Sequence, residues 1–134
     1  MTPRSYAYAK HHRLQHALQF EAVYSGKVRQ SRGPLTIFAI PNSLPHPRLG
    51  LSVGRKVGIA PKRNRIKRLL REAFRLLQHD WPAGYDIVIN VRPHETLLLA
   101  DYQRILSHLM VALHKEWVKR NETVSKVSHE GEVE

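Results

Sequence analysis

From Pro61 to about His79, apolar side chains recur at Ile66, Leu69, Leu70, Ala73 and Leu77, and between them stand Asn64, Lys67, Arg68, Arg71 and Arg75. At about 3.6 residues per turn the first set projects to one side of a helix and the second to the other, within an arc of about 100°. Pro61 suits the first turn of such a helix, where its missing N–H leaves no bond unmade. This helix must bury one side against a core and hold a cationic stripe in solvent, with Arg63 and Arg65 flanking the stripe at its start. Any fold for the chain has to cover it from one side only.

The stripe is poorly arranged for stability. Arg55 to Arg75 contains nine Lys/Arg and one acid, Glu72. Like charges four apart at Arg63–Lys67, Lys67–Arg71 and Arg71–Arg75 each cost about 0.2–0.5 kcal/mol. Lys62, Arg63 and Arg65 also crowd the positive end of the helix dipole, where acids are preferred. An ordinary solvated face mixes its signs, so a polyanion partner is the better reading. Six of the nine cations are Arg, whose planar fork grips phosphate bidentately and stacks on bases. A helix N-terminus after a Gly-containing connector adds backbone N–H groups aimed at anions.

The whole chain repeats this imbalance. Residues 1–71 hold 15 Lys/Arg and only Glu21, for +14, while residues 72–134 hold 7 Lys/Arg and 10 acids, for −3, summing to the formal +11. Such a field attracts polyanions from a distance. Charge alone does not separate nucleic acid from an anionic lipid surface.

The remaining pattern predicts a short helix with Leu14, Ala17, Leu18, Ala22 and Val23 on one face, closed by Gly26. A strand Leu35–Ile40 and a strand Arg48–Val53 follow, read as one hairpin around the proline-containing turn 42–47. After the basic helix come a strand from Tyr85 to Arg92 and a helix from about Asp101 to Lys119, with Tyr102, Ile105, Leu106, Leu109, Leu113 and Trp117 on one face. This order predicts an α+β fold, a single two-layer sandwich of a small sheet with helices. The expected organisation is a flexible arm over 1–11, one domain over 12–120 and a disordered acidic tail over 121–134.

Several functions are disfavoured at once. The absence of Cys removes disulfides and thiolate metal sites. No run of 18 apolar residues exists to span a membrane, and Met1–Tyr6 lacks a signal-peptide pattern, so a cytoplasmic protein is expected. Hydrolysis of a phosphodiester by protein usually needs clustered carboxylates or an acid–base pair, and the basic half offers only Glu21. His11, His12 and His16 lack a carboxylate or thiolate neighbour and read as surface residues. Neither a catalytic residue nor a protein-bound metal is expected.

Arg63-Asn64-Arg65-Ile66-Lys67-Arg68 resembles the Arg-Asn-Arg signature of the ribonuclease P protein family. The similarity runs upstream through Arg48-Leu49-Gly50-Leu51-Ser52-Val53-Gly54-Arg55-Lys56 and downstream through Leu69-Leu70-Arg71-Glu72-Ala73-Phe74. With Arg13-Leu14, Phe20, Val23 and Tyr24 in the opening helix, it covers about residues 12–118. Arg55 stands where the family usually carries Lys. The resemblance implies a left-handed crossover between the second and third expected strands, against the general right-handed rule. It further implies that an RNA subunit hydrolyses the substrate with bound Mg2+ and that the protein assists. Arg63, Asn64, Arg65, Lys67 and Arg68 would then face ribonuclease P RNA. A cleft beside the first helix, with Phe20, Tyr24, Arg55, Lys56 and Arg71, would hold the single-stranded 5′ leader of precursor tRNA. No obligate protein partner is implied.

On spacing alone, Phe20 and Tyr24 read as core residues more readily than as stacking platforms, and the resemblance reverses that order. A purely structural, ribosomal-type RNA-binding protein would explain the charge but not the ordered block from Arg48 to Phe74. A DNA-binding helix lacks a second helix at turn distance.

Overall fold

The computed structural model describes residues 13–14, 17–26, 28–81 and 84–133, with side chains described as far as Arg120. Helix α1 (Ala17–Ser25) leads into strands β1 (Arg29–Arg32), β2 (Leu35–Pro41) and β3 (Arg48–Val53); a 3-10 turn (Arg55–Val57) leads into α2 (Ala60–Leu77), β4 (Tyr85–Val91) and α3 (Leu99–Val133). The four strands lie in the order β1-β2-β4-β3.

β4 sets this order. Six of its seven residues are buried, so it is covered on both faces and takes an inner position. It pairs antiparallel with β2, Leu35 opposite Val91, and parallel with β3, Val53 opposite Val91. The expected hairpin of β2 and β3 is therefore wrong: β4 stands between them, and α2 is the crossover joining the parallel pair β3 and β4. β1, which carries no apolar alternation and was absent from the expected elements, is an edge strand paired with β2.

Leu35, Ile37, Ala39, Leu49, Val53, Ile87, Ile89 and Val91 point to one face of the sheet, where Ile66, Leu70, Ala73 and Phe74 of α2 and Tyr102, Leu106, Leu109, Met110 and Leu113 of α3 complete the main core. The Trp117 indole N–H ties α3 to the Ala39 carbonyl at 2.8 Å. This is the expected two-layer sandwich. α1 adds a short third layer on the opposite face, where Leu14, Val23 and Val88 pack with Phe20, Tyr24, Phe38 and Ile40.

Two helix boundaries differ from the pattern. Leu14 lies before α1, its N–H bonded to the Leu49 carbonyl at 3.0 Å as an extension beside β3. Leu18, on the expected apolar face, is 77% exposed, and the inward face is Phe20, Val23 and Tyr24. Aromatic bulk, which fills the gap over the sheet, overrides the aliphatic period. The α3 backbone continues past Lys119 to Val133, across the segment expected to be a disordered tail. No proline interrupts it there, and a helix already nucleated propagates at one hydrogen bond per residue. The expected arm over 1–11 lies outside the described residues, as do His11, His12 and His16.

The loop from β2 to β3 is pinned by charge. The Asp86 carboxylate accepts Arg48 Nε at 2.8 Å, Arg48 Nη2 at 2.6 Å and Asn42 Nδ2 at 2.7 Å. Asp86 → Ala should destabilise the fold by about 2–3 kcal/mol in urea unfolding, below the ~3–5 kcal/mol of a fully buried broken pair, because the Arg48 side chain keeps 23% exposure.

Candidate nucleic-acid interface

α2 meets the sheet through its apolar side, so its cationic stripe faces away from the core. Ile59 at its N-cap supplies no side-chain cap, and its first turn holds no acid. The first N–H groups are thereby left for an outside acceptor. Gly58, at φ +155°, makes the connector possible; a Cβ there would stand 2.7 Å from Lys62 Cδ. Arg63 is half-buried and donates its Nε to the Gly58 carbonyl at 3.1 Å, so this arginine also shapes the connector.

Asn64, Arg65 and Arg68 are exposed, and Lys67 and Arg71 half-buried. Among the described residues the ion pairs are Arg48–Asp86, Arg75–Glu72, Arg104–Asp101 and Arg120–Glu116. Arg63, Arg65, Lys67, Arg68 and Arg71 enter none of them. Arg75 departs from the expected stripe: its Nε donates to Glu72 Oε2 at 3.0 Å. These hydrogen bonds hold the Glu72 carboxyl below its usual range and raise the Arg75 guanidinium. The free stripe ends at Arg71.

A second surface lies under α1. Gly50 on β3 is there for close approach, since a Cβ would sit 2.6 Å from the Phe20 ring. Tyr24 stacks edge-on against Phe38 of β2, centroids 4.9 Å apart, and donates its hydroxyl to Asn90 Oδ1 of β4 at 2.8 Å. Phe20, Tyr24 and Phe38 are all half-buried. Each ring is anchored on the sheet and keeps part of its surface open, which reconciles the core and platform readings.

Arg55 and Lys56 are exposed in the 3-10 turn at the end of β3. Arg71 is not in this cleft. It rides on α2, on the layer opposite α1, and an RNA strand touching both must pass the β3 edge. Phe38 and Asn90 escaped sequence reasoning because only strand register brings them beneath Tyr24. Thr36, the one polar residue of β2 and two positions before Phe38 on the same face, was the available signal for Phe38.

A small α+β protein with a helix whose arginines up to Arg71 enter no ion pair among the described residues, and with an aromatic cleft on the other face of its sheet, has the make-up of a nucleic-acid-binding protein. The family model for ribonuclease P matches residues 8–116. The chain belongs to the ribonuclease P protein family and is a protein subunit of that enzyme. Among solved structures it is similar to the Staphylococcus aureus RNase P protein, at 27% identity over 75% of this chain and 94% of that one, with a TM-score of 0.66. It is likewise similar to the Thermotoga maritima RNase P protein, at 28% identity over 73% of this chain and 94% of that one, with a TM-score of 0.67.

Arg65 → Ala should lower the slope of log affinity for RNA against log salt by roughly one contact. Arg75 → Ala should lower it much less, since Glu72 already neutralises that guanidinium. Filter-binding titrations across a salt series measure both.

Proposed function

We propose that this subunit grips the catalytic RNA with α2 and guides the 5′ leader of precursor tRNA through the α1 cleft, while the RNA performs the cleavage. The observation that carries this reading is the run of α2 cations without acid partners, on the side of the helix turned away from the core. Arg63, Asn64, Arg65, Lys67 and Arg68 meet the catalytic RNA, mostly through phosphates, which position without reading sequence. Phe20 and Tyr24 offer platforms for unpaired bases, worth about 1–3 kcal/mol per stacked base. Arg55 and Lys56 neutralise leader phosphates at the cleft mouth, and Arg71 reaches the strand from the far side of β3.

Among the described residues no three His, Asp or Glu side chains gather in a group that could hold a magnesium ion. Glu21 is the one acid in residues 1–71, Glu72 is engaged by Arg75 and Asp86 by Arg48. Magnesium is assigned to the RNA, where it would supply the metal-ion chemistry of the hydrolysis. No helix among the described residues is long and apolar enough to cross a membrane, and a cytoplasmic ribonucleoprotein without an obligate protein partner is the accompanying reading.

Reconstitution with a bacterial-type ribonuclease P RNA tests this. The chain should stimulate cleavage at low magnesium and lose that advantage at high magnesium, where cations substitute for it; equal activity with and without the chain at low magnesium refutes the proposal.

Phe20 → Ala should weaken binding of long-leader precursor by about five- to 150-fold, the equivalent of roughly 1–3 kcal/mol, and leave mature tRNA unchanged. Equal losses for both, with a lower melting temperature, would assign Phe20 to the core.

A further inference from the structure

The floor of the α1 cleft extends beyond the rings that wall it. Ser31 of β1 lies opposite Thr36 of β2, Thr36 opposite Asn90 of β4, and Asn90 beside Ser52 of β3. Lateral partners share a face, and this is α1's face, because Thr36 and Asn90 alternate with Leu35, Ile37, Ile89 and Val91 of the main core. The result is an uncharged polar row across the sheet, its members half-buried or exposed. The Ser31 and Thr36 hydroxyls are 2.8 Å apart, and Tyr24 holds Asn90.

The wall runs the same way. Phe20 sits over Gly50 of β3 and Tyr24 against Phe38 of β2, so α1 crosses the strands instead of following them. At the β3 end stand Arg55 and Lys56. At the β1 end stands Arg29, which is exposed, lies opposite Phe38 and so shares α1's face. Arg29 enters no ion pair among the described residues. The groove thus has cations at both ends and hydroxyls and an amide between.

We propose that Arg29, with the Ser31 hydroxyl beside it, is the upstream anchor of the leader, taking a phosphate after the strand has crossed all four β-strands. This rests on the reading that the cleft holds the leader. The direction follows from α2, which starts just after the Arg55–Val57 turn and so places the catalytic RNA and the cleavage point at the β3 end. Three strand spacings of about 4.8 Å make about 14 Å, and Arg29, level with Gly50 through Phe38 and Val88, is offset from Arg55 by about 16 Å along the strands, so the diagonal is about 22 Å, or roughly six nucleotides at the stacked rise of about 3.4 Å. Only leaders longer than that reach Arg29. The competing role for an edge-strand arginine is to repel strand addition, which has no dependence on leader length.

The test is binding of precursor tRNAs with leaders of about two and about ten nucleotides, either side of the span above, to the reconstituted holoenzyme. Arg29 → Ala should weaken the long-leader substrate about three- to tenfold, lower its salt slope by about one, and leave the short-leader substrate unchanged, with Arg29 → Lys restoring most of the loss. Equal loss for both substrates, or unchanged affinity with increased aggregation, overturns the assignment. Failure of the cleft reading looks different: the wild-type holoenzyme would then bind long and short leaders alike, and Phe20 → Ala would alter neither.

Discussion

β4 lies between β2 and β3 with both of its faces covered, and the other elements take their places from that. A parallel neighbour cannot be joined by a tight turn, so the chain between β3 and β4 must cross a face of the sheet as α2. This crossover is also the most basic segment of the protein. Its apolar side is used up in the main core, against β3 and α3, which leaves one direction for Arg65, Lys67 and Arg68. The orientation of the cationic stripe is therefore a consequence of strand order.

The magnitudes explain how a helix with so much like charge survives. Its neighbouring cations repel by about 0.2–0.5 kcal/mol per pair, and its N-terminus lacks a cap that would contribute about 1 kcal/mol. Burying Ile66, Leu70 and Phe74 returns about 1.5–3 kcal/mol each. Stability comes from the inward side, and the outward side is free to be arranged for binding. Where the cations outside ion pairs stop, mixed surface charge resumes: Glu72 neutralises Arg75 one turn after Arg71.

The opposite face of the sheet follows another logic. α1 is short and buries only Val23 fully, so it leans on Phe20 and Tyr24 to hold its position. Those rings are fixed by Gly50, Phe38 and Asn90 and still show part of their surface. A platform rigid before the ligand arrives loses little entropy on binding. The polar row beside it stays uncovered because one short helix lying over β3, β4 and β2 cannot roof the whole sheet.

The basic helix, its inward side apart from Phe74 and its outward cations apart from the paired Arg75 were legible in the sequence, because a helix face depends only on residues three and four apart. The same holds for the inward side of α3. Strand order was not legible. β2 and β3 are each plausible hairpin partners, and only the double burial of β4, a property of what packs on both sides of it, decides that it comes between them. β1 was invisible because an edge strand needs no apolar alternation. Phe20 and Tyr24 could be named as candidates from their spacing, but their bond to β4 and their neighbours on β2 and β3 come from residues far apart in the chain. Local periodicity determined which side of each long helix meets the core; register between distant strands, which only the assembled sheet sets, decided what the cleft contains.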